Sequence, residues 1–359
     1  MTDERLLWPD LAKGLCIVLV VLHHVTKFYA PLMPDDIAPI GTTWQAVSAA
    51  LKPIRMPLFF VVSGLFASGA IRRPWGDARR RLIGGYYLYV VWLVIFAVVY
   101  GFERTIDANR TDSPTDFLGE LVWAATSMWF LFALVAYFVL AKTLRRLPAG
   151  WVIAVAALLS GATSYLPFDE ANRVSVLFHF AFFAFGAYCP ALVRRISEAD
   201  LPVRTLAAAY VVGTAGLLLL DPPRSIQLVL LSVVGIPLGI AVTVRLSRCG
   251  AIAEPIAWLG RRTLRVYVLH MAILAALVHT PLTPALDSPA ATLVATVLFP
   301  LLVTAGLVVC CLGMHAALVR LGLGCLFNLP DLPPAGALGP RHSRPSQDRL
   351  LALGPYPGR

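Results

Sequence analysis

The chain has 359 residues, of which 58% are hydrophobic and 14% are charged, and its mean hydropathy is +0.75. A soluble domain carries about a quarter charged residues, so this composition excludes a single water-soluble core and predicts an all-α polytopic membrane protein. The formal net charge of +10 requires no nucleic-acid partner, because membrane proteins concentrate Lys and Arg on the cytoplasmic side, where these residues also attract anionic lipid.

The beginning of the chain predicts a retained first span. MTDERLLWPD has mixed charge, and no small-residue cleavage site follows before Lys27. A cleavable signal peptide would show such a site. Asp10 directly follows Pro9, and we expect it to be the N-cap of the first helix.

Apolar stretches of about 17 to 25 residues are long enough to cross a bilayer as helices. About ten occur, at 10–30, 53–71, 82–101, 121–141, 150–166, 174–193, 203–220, 226–244, 262–280 and 291–318. The charged sequence RPWGDARRR between the second and third stretches predicts a loop. We expect residues 1–325 to form the transmembrane domain, and the Pro- and Gly-rich residues 326–359 to form a flexible cytoplasmic tail.

The distribution of basic residues predicts the orientation in the cell membrane. With the N-terminus in the cytoplasm, 23 of the 30 Lys and Arg residues fall on the cytoplasmic side and seven outside, as the positive-inside rule requires. Both termini are then cytoplasmic. The six cysteines form no CxxC pair and the chain shows no metal-ligand spacing, so we expect neither a disulfide framework nor a metal cofactor. The oligomeric state stays open.

The segment KGLCIVLVVLHH, residues 13–24, places ionisable groups inside the first span. Eleven helical steps from Lys13 to His24 cover about 16 Å, which is about half the hydrocarbon thickness. Lys13 is therefore expected at the cytoplasmic rim and His24 near mid-membrane. An ionisable side chain at that depth is by default a functional-site hypothesis, although a histidine that only bonds a neighbouring helix is the structural alternative.

This spacing suits an acyl-transfer reaction. A neutral imidazole can take a proton from a hydroxyl as that hydroxyl attacks a carbonyl, while Lys13 holds the anionic end of a long acyl carrier. His23 is the local competitor of His24. Neighbouring helical residues point about 100° apart, so we expect only one of the two to face a cavity.

Four segments resemble a known family. WPDLAKGLCIVLVVLHH resembles the first-helix signature of the acyltransferase-3 family of integral membrane acyltransferases, and PLFFVVSGLFASGA resembles its second-helix signature. SMWFLFALVAY and RVYVLHMAIL resemble two later segments. The segments occur in the family order over most of the chain and end before the tail.

The resemblance implies O-acylation, commonly O-acetylation, of an envelope or exported carbohydrate or a related hydroxyl compound. The donor would be a cytoplasmic acyl-CoA, with acetyl-CoA expected. Lys13 and His24 occupy the positions of the essential cation and histidine, and Asp10 lies just ahead, with simple N-capping as its alternative role. Ser127 stands where many members have a histidine.

The arginines before the third span are candidates for binding the phosphates of coenzyme A through charge-assisted hydrogen bonds. Many family members have an RxxR pair here, but this chain has Ala78 in place of its first arginine. Ordinary determination of topology explains the same charges equally well. The candidates are Arg72, Arg79, Arg80 and Arg81, and Arg81 is favoured because it borders the span.

The remaining histidines are weaker candidates. His270 lies near the middle of the ninth span and is a candidate to orient the acceptor or to line the donor tunnel, although a structural role is favoured for it. His179 is a weaker candidate still, and both it and His315 are expected to be structural. The small residues Ser63 and Gly64 predict close packing of the second span against the first.

The leading interpretation is a membrane O-acyltransferase in which His24 is the general base and a small molecule or glycan is the acceptor. The sequence leaves open a route through an acyl-histidine. The alternative is a transporter or flippase for a small polar or lipid-linked molecule, although two related halves with interrupted helices are not visible. An inactive structural or sensing member is disfavoured because both Lys13 and His24 are kept.

Overall fold

The structure, a computed structural model, describes residues 7–29, 38–104, 109–167, 171–279 and 289–330. Within these residues every regular element is a helix and no strand forms. The helices are α1 Leu7–Tyr29, α2 Ala38–Ala50, α3 Lys52–Arg72, α4 Trp75–Phe102, α5 Pro114–Val122, α6 Trp129–Leu144, α7 Ala149–Ala162, α8 Ala171–Tyr188, α9 Pro190–Glu198, α10 Val203–Leu220, α11 Arg224–Leu246, α12 Gly250–Gly260, α13 Thr263–Leu277 and α14 Pro289–Arg320.

Each predicted span overlaps a helix, and the protein is a multi-pass membrane protein. The fourth predicted span, 121–141, begins too early, because residues 123–128 between α5 and α6 are not helical. By length and composition, six segments of the described chain are able to cross a membrane: Leu7–Phe28, Ile40–Arg72, Trp75–Phe102, Val203–Leu220, Arg224–Leu246 and Val297–Arg320. Helices α8 and α9 meet at an 81° bend and together meet the same criterion. The shorter apolar helices α6, α7 and α13 lie at the fourth, fifth and ninth predicted spans. Most of the predicted tail lies outside the described residues.

Two predicted helix starts are wrong. Helix α1 already includes Leu7, so Asp10 lies in its first turn instead of capping it. RPWGDARRR is mostly helical, because α4 begins at Trp75 directly after Pro74 and carries Asp77 in its first turn. A carboxylate in the first turn favours a helix, and long arginine side chains reach water from an interfacial helix. Arg79, Arg80 and Arg81 therefore belong to α4.

Glycines bring α1 and α12 into backbone contact. A Cβ atom on Gly14 would lie 2.1 Å from the carbonyl oxygen of Ile256, and one on Gly260 would lie 1.7 Å from that of Asp10. Only glycine permits this approach. The crossing places the start of α13 beside the Asp10 and Lys13 turn of α1, although the two segments are about 250 residues apart in sequence.

Helix α3 contacts α1 as predicted, but Gly64 packs against a different helix. A Cβ atom on Gly64 would lie 2.1 Å from the carbonyl oxygen of Phe183, and one on Gly186 would lie 2.0 Å from that of Val61. These contacts join α3 to α8, so Gly64 does not serve the expected contact with α1. Ser63 faces a cavity instead.

Candidate active site

A cavity of about 560 Å³ lies among α1, α3, α4, α6, α8 and α13. Lys13 and Lys27 both line it, and fourteen helical steps separate them along α1, so it extends over about 21 Å. None of the described lining residues is an Asp or a Glu. Nine of them are basic: Lys13, Lys27, Lys52, Arg55, Arg80, Arg81, Arg261, Arg262 and Arg265.

One group of these cations, which we name the Lys13 end, comprises Lys13, Arg80, Arg81, Arg261, Arg262 and Arg265. Lys13 Nζ lies 3.0 Å from Asp10 Oδ1 and 4.6 Å from the Phe66 ring centroid. Arg261 Nη1 lies 3.7 Å from Asp10 Oδ2. Asp10 is 1% exposed and does not line the cavity. It therefore holds two cations in place from behind the wall.

The four arginines predicted to bind the donor phosphates separate into two pairs. Arg80 and Arg81 line the cavity, and Arg81 Cζ lies 4.9 Å from the Phe138 ring centroid. Arg72 and Arg79 are exposed and do not line it.

Sequence reasoning missed Arg261, Arg262 and Arg265 as site residues. Their signal was the basic run GRRTLR at the start of the histidine-bearing ninth span, although the positive-inside rule alone also explains these charges.

The other group, the Lys52 end, comprises Lys27, Lys52 and Arg55. Arg55 is 3% exposed, and its Nη1 donates to Ser48 Oγ at 3.2 Å, to the Ser48 carbonyl oxygen at 3.3 Å and to that of Leu19 at 3.4 Å. His23 Nδ1 lies 2.9 Å from the same Ser48 Oγ. Neutral oxygens thus hold this buried guanidinium beside the histidines of α1.

Two histidines from distant spans meet between the two ends. His24 Nδ1 lies 3.0 Å from His270 Nε2, and His270 Nδ1 lies 2.6 Å from the carbonyl oxygen of Tyr267. A carbonyl only accepts, so His270 Nδ1 carries the proton and its Nε2 accepts one from His24 Nδ1. Neutral His24 then has its lone pair on Nε2, which no described residue bonds. His270 is 1% exposed and lies behind His24, off the cavity wall.

The expectation that only one of the paired histidines faces a cavity is wrong. His23 and His24 both line it, with ring centroids 5.2 Å apart. The cavity covers a broad face of α1 that also includes Val20 and Phe28, so two directions about 100° apart both reach it.

His179, expected to be structural, also lines the cavity. Its Nδ1 donates to the Ser175 carbonyl oxygen at 2.7 Å, which leaves the lone pair on Nε2. Its ring centroid lies 5.5 Å from that of Trp129. The sequence offered one indication that His179 belongs to the site, namely its position within an apolar span. His315, also expected to be structural, lines the cavity too.

A buried carboxylate holds the loop that carries Ser127 against the cavity. Glu120 Oε2 accepts hydrogen bonds from the backbone N–H groups of Ala125 at 2.8 Å and Thr126 at 2.9 Å. The Ala125 carbonyl oxygen accepts from Asn109 and Asn172, both of which line the cavity. Burial raises the pKa of the Glu120 carboxyl, and the two N–H donors offset part of this rise.

These features define a class: a helical membrane protein whose interior cavity has a histidine centre and a cationic group at each end. A family model described as an acyltransferase domain, that of the acyltransferase-3 family, matches residues 6–315. The chain therefore belongs to the acyltransferase-3 family, as its motifs predicted.

Curated relatives match parts of the chain. Inner membrane protein YcfT of Escherichia coli is 28% identical over 222 residues, which are 56% of this chain and 60% of YcfT. Nodulation protein NolL of Mesorhizobium japonicum is 26% identical over 198 residues, covering 52% and 48% of the two chains, respectively. NolL of Sinorhizobium fredii is 30% identical over 158 residues, covering 42% and 40%. The chain thus spans about half the length of these relatives. No solved structure matches it significantly.

Proposed function

We propose that the protein transfers an acyl group, with acetyl expected, from a cytoplasmic acyl-CoA to a hydroxyl of a carbohydrate or related compound. The observation that carries this proposal is the hydrogen bond between His24 and His270, in a cavity with cations at both ends. Membership of the acyltransferase-3 family supports the reaction class.

The donor would bind at the Lys13 end. Six Lys and Arg residues line this end, and a coenzyme A donor carries phosphates that guanidinium groups bind through charge-assisted hydrogen bonds. Lys13 and Arg81 are the main contacts proposed, with Arg80 beside them. Asp10 acts indirectly, because it holds Lys13 and Arg261 in position. The positive-inside rule would place this end, and both chain termini, in the cytoplasm.

His24 would act as the general base. Its Nε2 takes the proton of the acceptor hydroxyl as the hydroxyl oxygen attacks the thioester carbonyl. The new C–O ester bond forms, the C–S bond breaks, and the proton passes from His24 to the departing thiolate. His270 is a positioning residue that holds His24 in the tautomer with a free Nε2. A route through acyl-His24 would use the same nitrogen, and labelling with donor alone would detect it.

The decisive experiment measures transfer by purified His24→Ala from labelled acetyl-CoA to a mixture of envelope glycans. We expect a loss of about 10²- to 10⁴-fold, the usual contribution of a positioned general base. His23→Ala is the matched control, because His23 lies on the same wall but bonds Ser48 instead of His270. It should lose much less activity.

Wild-type transfer by His24→Ala would contradict the mechanism, provided the variant elutes as wild type does from a sizing column. Counting free thiol tests the reaction class. A transporter or flippase, the alternative function, would move the acceptor without releasing the thiol of coenzyme A.

A further inference from the structure

The Lys52 end holds cations that the proposed donor does not use. Lys52 and Arg55 are three residues apart on the first turn of α3 and so share one helix face; both line the cavity. Lys13, which leads the donor group, lies about 21 Å along α1 from Lys27. A donor phosphate at the Lys13 end is therefore too far away to compensate the charges of Lys52 and Arg55, for which the described cavity wall provides no carboxylate.

Arg55 is the strongest of these charges because it is buried. Its hydrogen bonds in the described structure go to Ser48 and Leu19 oxygens, which are neutral, and its Nε has no partner among the described residues. A buried charge is costly unless an opposite charge accompanies it. The described cavity wall offers no carboxylate for this purpose, so the counter-charge is expected from a ligand.

A short chain of contacts links this charge to the proposed base. Arg55 and His23 both contact Ser48 Oγ, and the His23 ring adjoins that of His24. One compact molecule can therefore present an anionic group to Arg55 and a hydroxyl to His24. Asn109, Asn172 and Ser175 add neutral polar groups to the wall.

We propose that the acceptor is an anionic hydroxyl compound, whose carboxylate or phosphate binds Lys52 and Arg55. This inference rests on the proposed function, since it names the substrate class of the same site. Neutral hydroxyl compounds would bind more weakly, because they leave the Arg55 charge without a partner.

The test compares two probes that differ in one group, methyl β-glucuronide and methyl β-glucoside. Isothermal titration of the full-length protein in neutral detergent, without donor, measures both affinities. We expect the glucuronide to bind at least about tenfold more tightly, since one hydrogen bond to a charged group contributes about 1.5 kcal/mol or more. Lys52→Gln should lose this preference. Arg81→Gln, which removes one wall cation at the opposite end, should keep it.

If Arg55→Gln folds, it is the stronger test, because Arg55 carries the buried charge. If it does not fold, Lys52→Gln is the deciding variant, because Lys52 is only half-buried and its substitution should be tolerated. Equal affinities, an absence of binding by both probes, or an unchanged preference in Lys52→Gln would overturn the proposal.

An anionic lipid headgroup has the same chemistry as the proposed ligand. Glucuronide binding that persists in phosphatidylglycerol nanodiscs supports an acceptor site, whereas binding that phosphatidylglycerol abolishes indicates a lipid site and overturns the proposal. Selective binding of glucuronide without any thiol release from acetyl-CoA would contradict the proposed function and leave the anion site standing.

Discussion

The two cationic ends of the cavity are built in different ways. At the Lys13 end a buried carboxylate, Asp10, lies beside Lys13 and Arg261 and supplies counter-charge from behind the wall. At the Lys52 end Arg55 is held by a hydroxyl and two backbone carbonyls, which orient it without neutralising it. The first arrangement holds a cluster of cations together for a highly charged ligand. The second keeps one full charge available for a ligand.

The largest effect is expected from Gly260→Ala, which acts on the Lys13 end alone. The new Cβ would lie 1.7 Å from the Asp10 carbonyl oxygen, so α1 and α12 must separate. Overpacking of this kind costs about 3 kcal/mol. We expect a lower unfolding temperature and weaker donor binding, with the glucuronide preference kept. Gly69→Ala is the control, since no other described part of the chain lies within 4 Å of its Cβ position. A wild-type donor affinity in Gly260→Ala would show that the crossing does not position the cations.

The next largest effect is expected at the hydrogen-bonded histidines His24 and His270, which lie between the two ends. His270→Leu removes the acceptor of the His24 Nδ1 proton, so His24 loses its preferred tautomer. We expect kcat to fall about 10²-fold with little change in the donor KM. His270→Gln keeps an acceptor oxygen and should recover part of the loss. Equal losses in the two variants would indicate that His270 has a packing role only. A packing role would also leave the pH dependence of kcat unchanged, whereas loss of the His24 tautomer should alter it.

The next prediction concerns the contribution of Glu120 to the stability of the loop that carries Ser127. Glu120→Ala leaves the Ala125 and Thr126 N–H groups without their acceptor, which should lower the free energy of unfolding by about 2 kcal/mol. Glu120→Gln retains one acceptor oxygen and should cost less. Thermal unfolding in detergent measures both, and equal stability of the alanine variant and wild type would exclude this role.

The same carboxyl predicts a dependence on pH. Burial raises the pKa of Glu120 in the folded state, so its contribution to stability is largest below the ordinary carboxyl range and declines as the pH rises. The stability of wild type relative to Glu120→Gln should therefore decrease as the pH rises from the ordinary carboxyl range, about pH 4, through the raised pKa of the folded state. A constant or increasing difference over this range would contradict the shifted pKa.

The smallest effect is expected from a single cation at the Lys13 end. Arg81→Gln should raise the donor KM about tenfold, which corresponds to the lower end of one hydrogen bond to a charged group, and should leave kcat nearly unchanged. Arg79→Gln is the matched control, because Arg79 is two residues away on α4 but does not line the cavity. Equal effects of the two substitutions would place the donor outside the cavity.

The class of protein, the positions of the spans and the Lys13–His24 motif could be predicted from the sequence. These features depend on local properties: hydropathy over about twenty residues and the constant rise of a helix. Boundaries were less predictable. RPWGDARRR looks too charged for a helix, yet its side chains reach water from an interfacial first turn of α4.

The composition of the site depended on tertiary structure. His24 and His270 are 246 residues apart, and only the packing of α13 against α1 joins their rings. The crossing of α1 with α12 brings Arg261, Arg262 and Arg265 to the same cavity as Lys13, whereas Arg72 and Arg79 do not line it. The sequence therefore determined that the protein is an all-α multi-pass membrane protein, because the apolar character that lets a segment cross a bilayer depends on that segment alone. The tertiary structure decided which imidazoles form a hydrogen bond and which cations line the same cavity, because both depend on how the helices cross.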